Sequence, residues 1–261
     1  MTFEVLNRRM EHRWLLGRDA TAPTLVFLHE GLGSVSLWRD FPERLTAITG
    51  CPGLLYSRLG HGRSDPADRT RGPDYLHREA VEVLPAVLDN FGIKEPILIG
   101  HSDGASIALI YAASGRPTKG VIVEAPHSFV EDVTLAGVHA AVETWHTTDL
   151  PQRMAKHHND AERLFRSWSE VWLDPAFRSW NIESLLTGIT APVLAIQGED
   201  DEYGTPAQVD TVVTRVAGPS EGLLLPNCGH TPHRDQREVV LDAMEHFINR
   251  AAGRDSDEAA A

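Results

Sequence analysis

Six short, strongly apolar runs, separated by segments of helical periodicity, constrain this 261-residue chain more than any other feature. They fall at 24–28, 53–56, 96–99, 120–123, 192–196 and 222–225. Runs this short and this apolar suit strands buried on both faces of a parallel sheet, because a strand with one wet face would alternate. Helical spacing fills 36–48, 75–91, 103–114, 206–216 and 235–250 between and after them. Such alternation calls for right-handed crossovers and helices on both sheet faces. Two polar-alternating stretches at 4–9 and 12–16 predict an antiparallel opening pair. The expected fold class is therefore α/β: a doubly wound, mostly parallel, eight-stranded sheet.

The alternation breaks once, between 127 and 187, where Trp145, Trp168, Trp172 and Trp180 lie on helical sequence. This stretch reads as a helical cap inserted between two strands. Sites in open α/β sheets lie beyond the carboxyl ends of the strands, so a cap there can cover one. The expected organisation is a core of 1–126 and 188–252, a cap of 127–187, and a disordered tail of 253–261, rich in acid and alanine.

A formal net charge of -13 argues against binding nucleic acid or a polybasic attachment to membranes. No apolar run approaches the ~20 residues needed to span a bilayer, and the first twenty residues lack a leader pattern. A cytoplasmic address is the resulting expectation. Two cysteines, Cys51 and Cys228, are too few for a disulfide framework. The expected partner is a small-molecule substrate, and a homodimer is left open.

Gly100-His101-Ser102-Asp103-Gly104 directly follows the third apolar run and opens a helical segment. The Gly-x-Ser-x-Gly pattern alone is weakly specific, but a strand turning sharply into a helix would expose the Ser102 hydroxyl at a helix N-terminus. There the amide of Asp103 could stabilise an oxyanion. Serine needs a base, and His230, in Asn227-Cys228-Gly229-His230-Thr231-Pro232-His233 after the last apolar run, is the candidate. His233 reads as a supporting residue. The acid should lie after an earlier strand and ahead of the His. Asp201, in Gly198-Glu199-Asp200-Asp201-Glu202, is preferred over Asp200, with Glu124 a remoter choice. The second oxyanion donor is expected at Gly31, in His29-Glu30-Gly31-Leu32-Gly33, with Glu30 beside it.

No cofactor or metal is expected. His29-Glu30 starts a zinc-protease pattern, but Gly33 stands where the second His belongs. Adjacent His157 and His158 would point different ways on a helix.

From about 24 to 247 the chain resembles the α/β-hydrolase superfamily, in the branch of small carboxylesterases, lactonases and meta-cleavage-product hydrolases. The resemblance rests on 29–33, on Gly60-His61-Gly62-Arg63-Ser64, on 100–104, on 198–201 and on Gly229-His230 with His233. It departs twice from that family's pattern. Glu30 stands where Gly usually follows the His, and Ser57 stands where an Asp usually precedes the Gly-x-Gly loop, which leaves that loop's hydrogen bonding open.

The resemblance implies a Ser102–His230–Asp201 triad cleaving a carboxylic ester or lactone through an acyl-enzyme. Trp145, Trp168 and Glu30 are the expected substrate contacts, although tryptophans at helical spacing also suit the cap's own core. The alternatives are carbon–carbon bond hydrolysis of a β-diketone-like acid, with Arg153, Lys156 and Arg163 as candidate carboxylate binders, or a non-catalytic ligand-binding homologue.

Overall fold

A computed structural model describes residues 1–19, 21–67 and 71–254. Eight strands form one sheet in the order β1-β2-β4-β3-β5-β6-β7-β8. They are β1 (Thr2–Val5), β2 (Arg8–Leu15), β3 (Leu25–Leu28), β4 (Gly53–Tyr56), β5 (Ile97–His101), β6 (Gly120–Glu124), β7 (Val193–Gly198) and β8 (Ser220–Leu225). β2 is antiparallel to both β1 and β4, and every later pairing is parallel.

The expected α/β architecture is thus the observed one, with two local differences. The opening hairpin turns at Leu6 and Asn7, both at positive φ (51° and 58°), residues that the alternation placed inside the first strand. A two-residue turn of this hand matches the twist of its strands. The last apolar run is not buried on both faces, for β8 is an edge strand and only its Leu225 is fully buried.

Along the central strands, successive side chains enter opposite halves of the core. Leu25, Phe27, Ile97, Ile99 and Ile122 face α1 (Phe41–Thr49) and the C-terminal helix. Val26, Leu28, Leu98, Val121 and Val123 face the other layer. That layer holds α2 (Tyr75–Arg78), a π-turn (Glu79–Val83), α3 (Leu84–Asn90), α4 (Asp103–Ala113) and, later in the chain, α9 (Ala207–Arg215).

Between β6 and β7 come α5 (Asp132–Thr147), α6 (Leu150–Ala155), α7 (Ala161–Trp172) and α8 (Glu183–Leu186). The two ends of this excursion are pinned together by the bridge Phe129–Asn181 and by the bond from the Ile182 N–H to the Ser128 carbonyl (2.8 Å). α7 starts where Asp160 caps the Arg163 N–H. Its Ala161, Leu164, Phe165, Trp168, Val171 and Trp172 form one buried stripe.

The chain closes with α10 (Pro232–Asp235) and α11 (Arg237–Ala251). The expected tail begins too early, because Arg254 reaches back to the Asp19 carboxylate (2.8 Å) and the Thr49 carbonyl (2.7 Å). The rest of that expectation, 255–261, lies outside the described residues. Among the described residues, no helix is long and apolar enough to cross a membrane.

Candidate active site

Ser102 sits between β5 and α4 at φ 53° and ψ −115°, a conformation that costs a non-glycine residue energy. Its two glycine neighbours make the turn feasible. A Cβ on Gly104 would overlap the Leu28 carbonyl, and one on Gly100 would overlap the Gly104 carbonyl. Backbone, not side chain, blocks both positions.

The Ser102 hydroxyl donates to His230 Nε2 at 2.9 Å, and His230 Nδ1–H donates to Asp201 Oδ1 at 2.8 Å. Three strand ends, those of β5, β7 and β8, thus converge although their residues lie up to 128 positions apart. Asp201 is itself held, because its carboxylate accepts from the Tyr203 N–H (2.8 Å) and from Gln197 Nε2 (3.1 Å). Burial alone would raise the Asp201 carboxyl, but His230 and the Tyr203 N–H bring it below its ordinary value. His230 shows the complementary balance: burial pulls the imidazole down, and Asp201, Glu202 and Glu30 lift it above its ordinary value.

The loop carrying His230 is clamped on both sides. Its carbonyl accepts from His101 Nε2 (2.6 Å), and its N–H donates to Glu202 (3.2 Å). Of the other candidate acids, Asp200 is exposed. Glu124 is buried against His233 (2.7 Å), which gives His233 a supporting place. Cys228 is 1% exposed, and burial pushes its thiol up to about 11, far from a reactive thiolate.

The 29–31 loop has its carbonyls turned into the protein. Arg58 donates to those of His29 (2.5 Å) and Glu30 (3.0 Å), and Arg71 donates to that of Gly31 (3.5 Å). Gly31 lines the same cavity as Ser102, and its N–H has no hydrogen-bond partner among the described residues. The Asp103 N–H, first in α4, precedes the helix's own acceptors.

Ser57, the departure from the usual Asp, is answered from another strand. Its hydroxyl donates to Glu11 Oε2 on β2 (2.7 Å) and accepts from the Val35 N–H (2.9 Å). The same Glu11 oxygen accepts from the Arg63 N–H (3.0 Å), so a glutamate on β2 supplies the loop's carboxylate.

The cavity beside Ser102 measures about 190 Å³, and Trp168 and Trp172 of α7 line it. Trp168 packs directly on Gly31, where a Cβ would collide with its indole. Trp145 does not line the cavity and is corrected to cap packing, stacked on Phe165 with ring centroids 4.2 Å apart. Glu30 does line it, and its Oε2 is buried with no partner. Burial is the first cause pushing this carboxyl up, to about 7.

None of the candidate carboxylate binders reaches the cavity. Arg153 pairs with Asp149 and Lys156 is exposed, while Arg163 donates to the Ala67 carbonyl and borders a separate cavity of about 290 Å³ with Arg71 and Leu164. His157 and His158 diverge, the first to the Ser36 hydroxyl and the second, buried, to the Gly62 N–H.

Sequence reasoning missed His127, Glu202 and Tyr203, all of which line the cavity. Glu202 and Tyr203 directly follow Asp201, which was a usable signal. His127 stands just past β6, with its ring 5.8 Å from that of His230 and 5.1 Å from that of Trp172.

A model of the alpha/beta hydrolase family matches residues 25–243, and the chain belongs to that family. It is similar to an sn-1-specific diacylglycerol lipase of Mus musculus, 23% identical over 90% of this chain and 83% of that protein. It is also similar to a proline iminopeptidase of Lactobacillus crispatus, 22% identical over 90% and 93%. Among solved structures, an enol-lactonase from Burkholderia xenovorans superposes with a TM-score of 0.74 at 20% identity, covering 95% of this chain and 100% of that one. A meta-cleavage product hydrolase from Pseudomonas fluorescens does so with 0.75 at 14% identity, covering 96% and 98%. At these identities the structures speak for the fold.

Proposed function

We propose that the protein is a serine hydrolase that cleaves a carboxylic ester or lactone through an acyl-enzyme on Ser102. The observation that carries this reading is the unbroken chain Ser102 Oγ–His230–Asp201, at 2.9 and 2.8 Å, with the serine at a strained strand-to-helix turn. His230 takes the hydroxyl proton as Ser102 attacks the carbonyl carbon. The amides of Gly31 and Asp103 hold the oxyanion. His230 then protonates the departing alcohol, and a water that gives its proton to the same imidazole releases the acid. Asp201 fixes the tautomer throughout.

Carbon–carbon hydrolysis of an acid would call for a cation beside Ser102, and among the described residues no Lys or Arg lines that cavity. Ester or lactone chemistry needs none. The two free, buried cysteines fit a cytoplasmic protein.

A fluorophosphonate probe tests the assignment. It should label the wild-type protein and leave Ser102→Ala unlabelled, with hydrolysis of p-nitrophenyl esters reduced by about 10³-fold or more and the melting curve preserved. Turnover at the wild-type rate in a folded Ser102→Ala protein refutes it.

A further inference from the structure

Two carboxylates, Glu30 and Glu202, line the cavity beside Ser102, and no lysine or arginine joins them among the described residues. Arg58, which acts electrostatically on Glu30, spends its guanidinium on the His29 and Glu30 carbonyls and on Asp103 (3.7 Å). Arg234 shares with Glu30 only a neighbouring cavity of about 60 Å³, and it is exposed. Glu30 Oε2 lies buried against Gly33 with no hydrogen-bond partner among the described residues, so the carboxylate that lines the cavity is not neutralised from within the protein. A buried carboxylate without a cation is costly, and an unpaired one resists ionisation. Its elevated pKa of about 7 agrees with that.

The rest of the wall suits a cation as well. Trp168, Trp172 and Tyr203 line the same cavity, and indole and phenol rings attract positive charge. Independent of the acids, the 2%-exposed ring of His127 lines the same cavity with no hydrogen-bond partner among the described residues, and its Nδ1 is buried. An orphaned polar ring on a cavity wall calls for a ligand that satisfies it.

We infer that this cavity selects esters or lactones carrying a cationic amine, held by Glu30 and Glu202 within the ring of Trp168, Trp172 and Tyr203. The inference rests on the acyl-transfer reading of Ser102 for its substrate and adds the charge that the substrate bears. Anionic analogues are repelled by the same two carboxylates. Glu30 then binds the substrate, while the amides of Gly31 and Asp103 hold the oxyanion.

Choline butanoate and 3,3-dimethylbutyl butanoate differ by one positive charge at nearly constant shape. The corresponding pair on the acyl side is p-nitrophenyl 4-(trimethylammonio)butanoate and p-nitrophenyl 5,5-dimethylhexanoate. In at least one pair the charged ester should show kcat/KM about tenfold higher or more. Glu30→Gln and Glu202→Gln, which keep size and hydrogen bonding, should each shrink that ratio toward one. A wild-type ratio at or below one in both pairs overturns the inference, as does a ratio that survives both Gln substitutions.

Calorimetry on folded Ser102→Ala protein, with choline against 3,3-dimethylbutanol, reads the same preference without turnover. Tighter binding of choline supports the cation site even if no ester is cleaved, an outcome that would sink the acyl-transfer reading alone. Equal or weaker binding of choline removes the site.

Discussion

His230 is lifted by Asp201 against the pull of burial, and this fixes how the rate should respond to pH. The imidazole must be neutral to accept the Ser102 proton, so log kcat/KM should fall with unit slope below the imidazole pKa. That midpoint should lie above the ordinary histidine value of about 6.5. Asp201→Asn removes the lifting charge, so the limb should move to lower pH while kcat drops by about 10³ to 10⁴-fold. A limb that stays in place in Asp201→Asn would detach the carboxylate from the base. Ser102, His230 and Asp201 could be picked from sequence because each follows an apolar run. Glu202 and Tyr203 were marked only by following Asp201, and His127 could not be weighed that way, since whether it lines a cavity depends on how the cap lies above it.

Elements carry the next set of consequences, because a turn or loop fails through its neighbours. Gly104→Ala would drive a methyl group into the Leu28 backbone of β3, and α4 has no flexible side chain there to yield. A loss of about 2–4 kcal/mol in unfolding free energy is expected by denaturant titration, and a change near zero would mean that the elbow is looser than its geometry. At 57–64, Glu11→Ala leaves the Ser57 hydroxyl and the Arg63 N–H without their acceptor and should cost about 1–3 kcal/mol. Adding Ser57→Asp, which returns a carboxylate locally, should recover part of that loss in the same titration. The strand count and helix positions were legible because apolar runs and helical periods differ in length and spacing. Two features were not: the edge position of β8, which depends on strand order, and the Leu6–Asn7 turn, which has no glycine to mark it.

Across the whole molecule, buried histidines make an acid-labile fold. Burial holds His29, His61 and His101 well below the ordinary value, and His127 and His158 near about 4. Such groups take up protons in the unfolded chain first, so stability is intact above about pH 6.5 and drains as pH falls toward 4, at about 1.4 kcal/mol per pH unit for each. Burial lowers His12 and His77 as well, and Glu30, Glu79 and His230, all raised, act in the opposite sense but number three against those seven histidines. Thermal melts should therefore show a clearly lower Tm at pH 5 than at pH 7.5, and a flat profile would contradict this balance. The overall α/β design was readable from alternation alone, whereas the cavity's charge was not, because it depends on which acids the cap leaves unpaired.

The residues that meet at the centre are spaced so that the base arrives last, on the loop after the final strand, with the whole excursion between β6 and β7 ahead of it. A ribosome therefore finishes the elbow while its chain still lacks His230, and the product of early termination would carry Ser102 without that partner. On the acyl-transfer reading, hydrolysis should switch on only once the C-terminal strand and helices have emerged and docked.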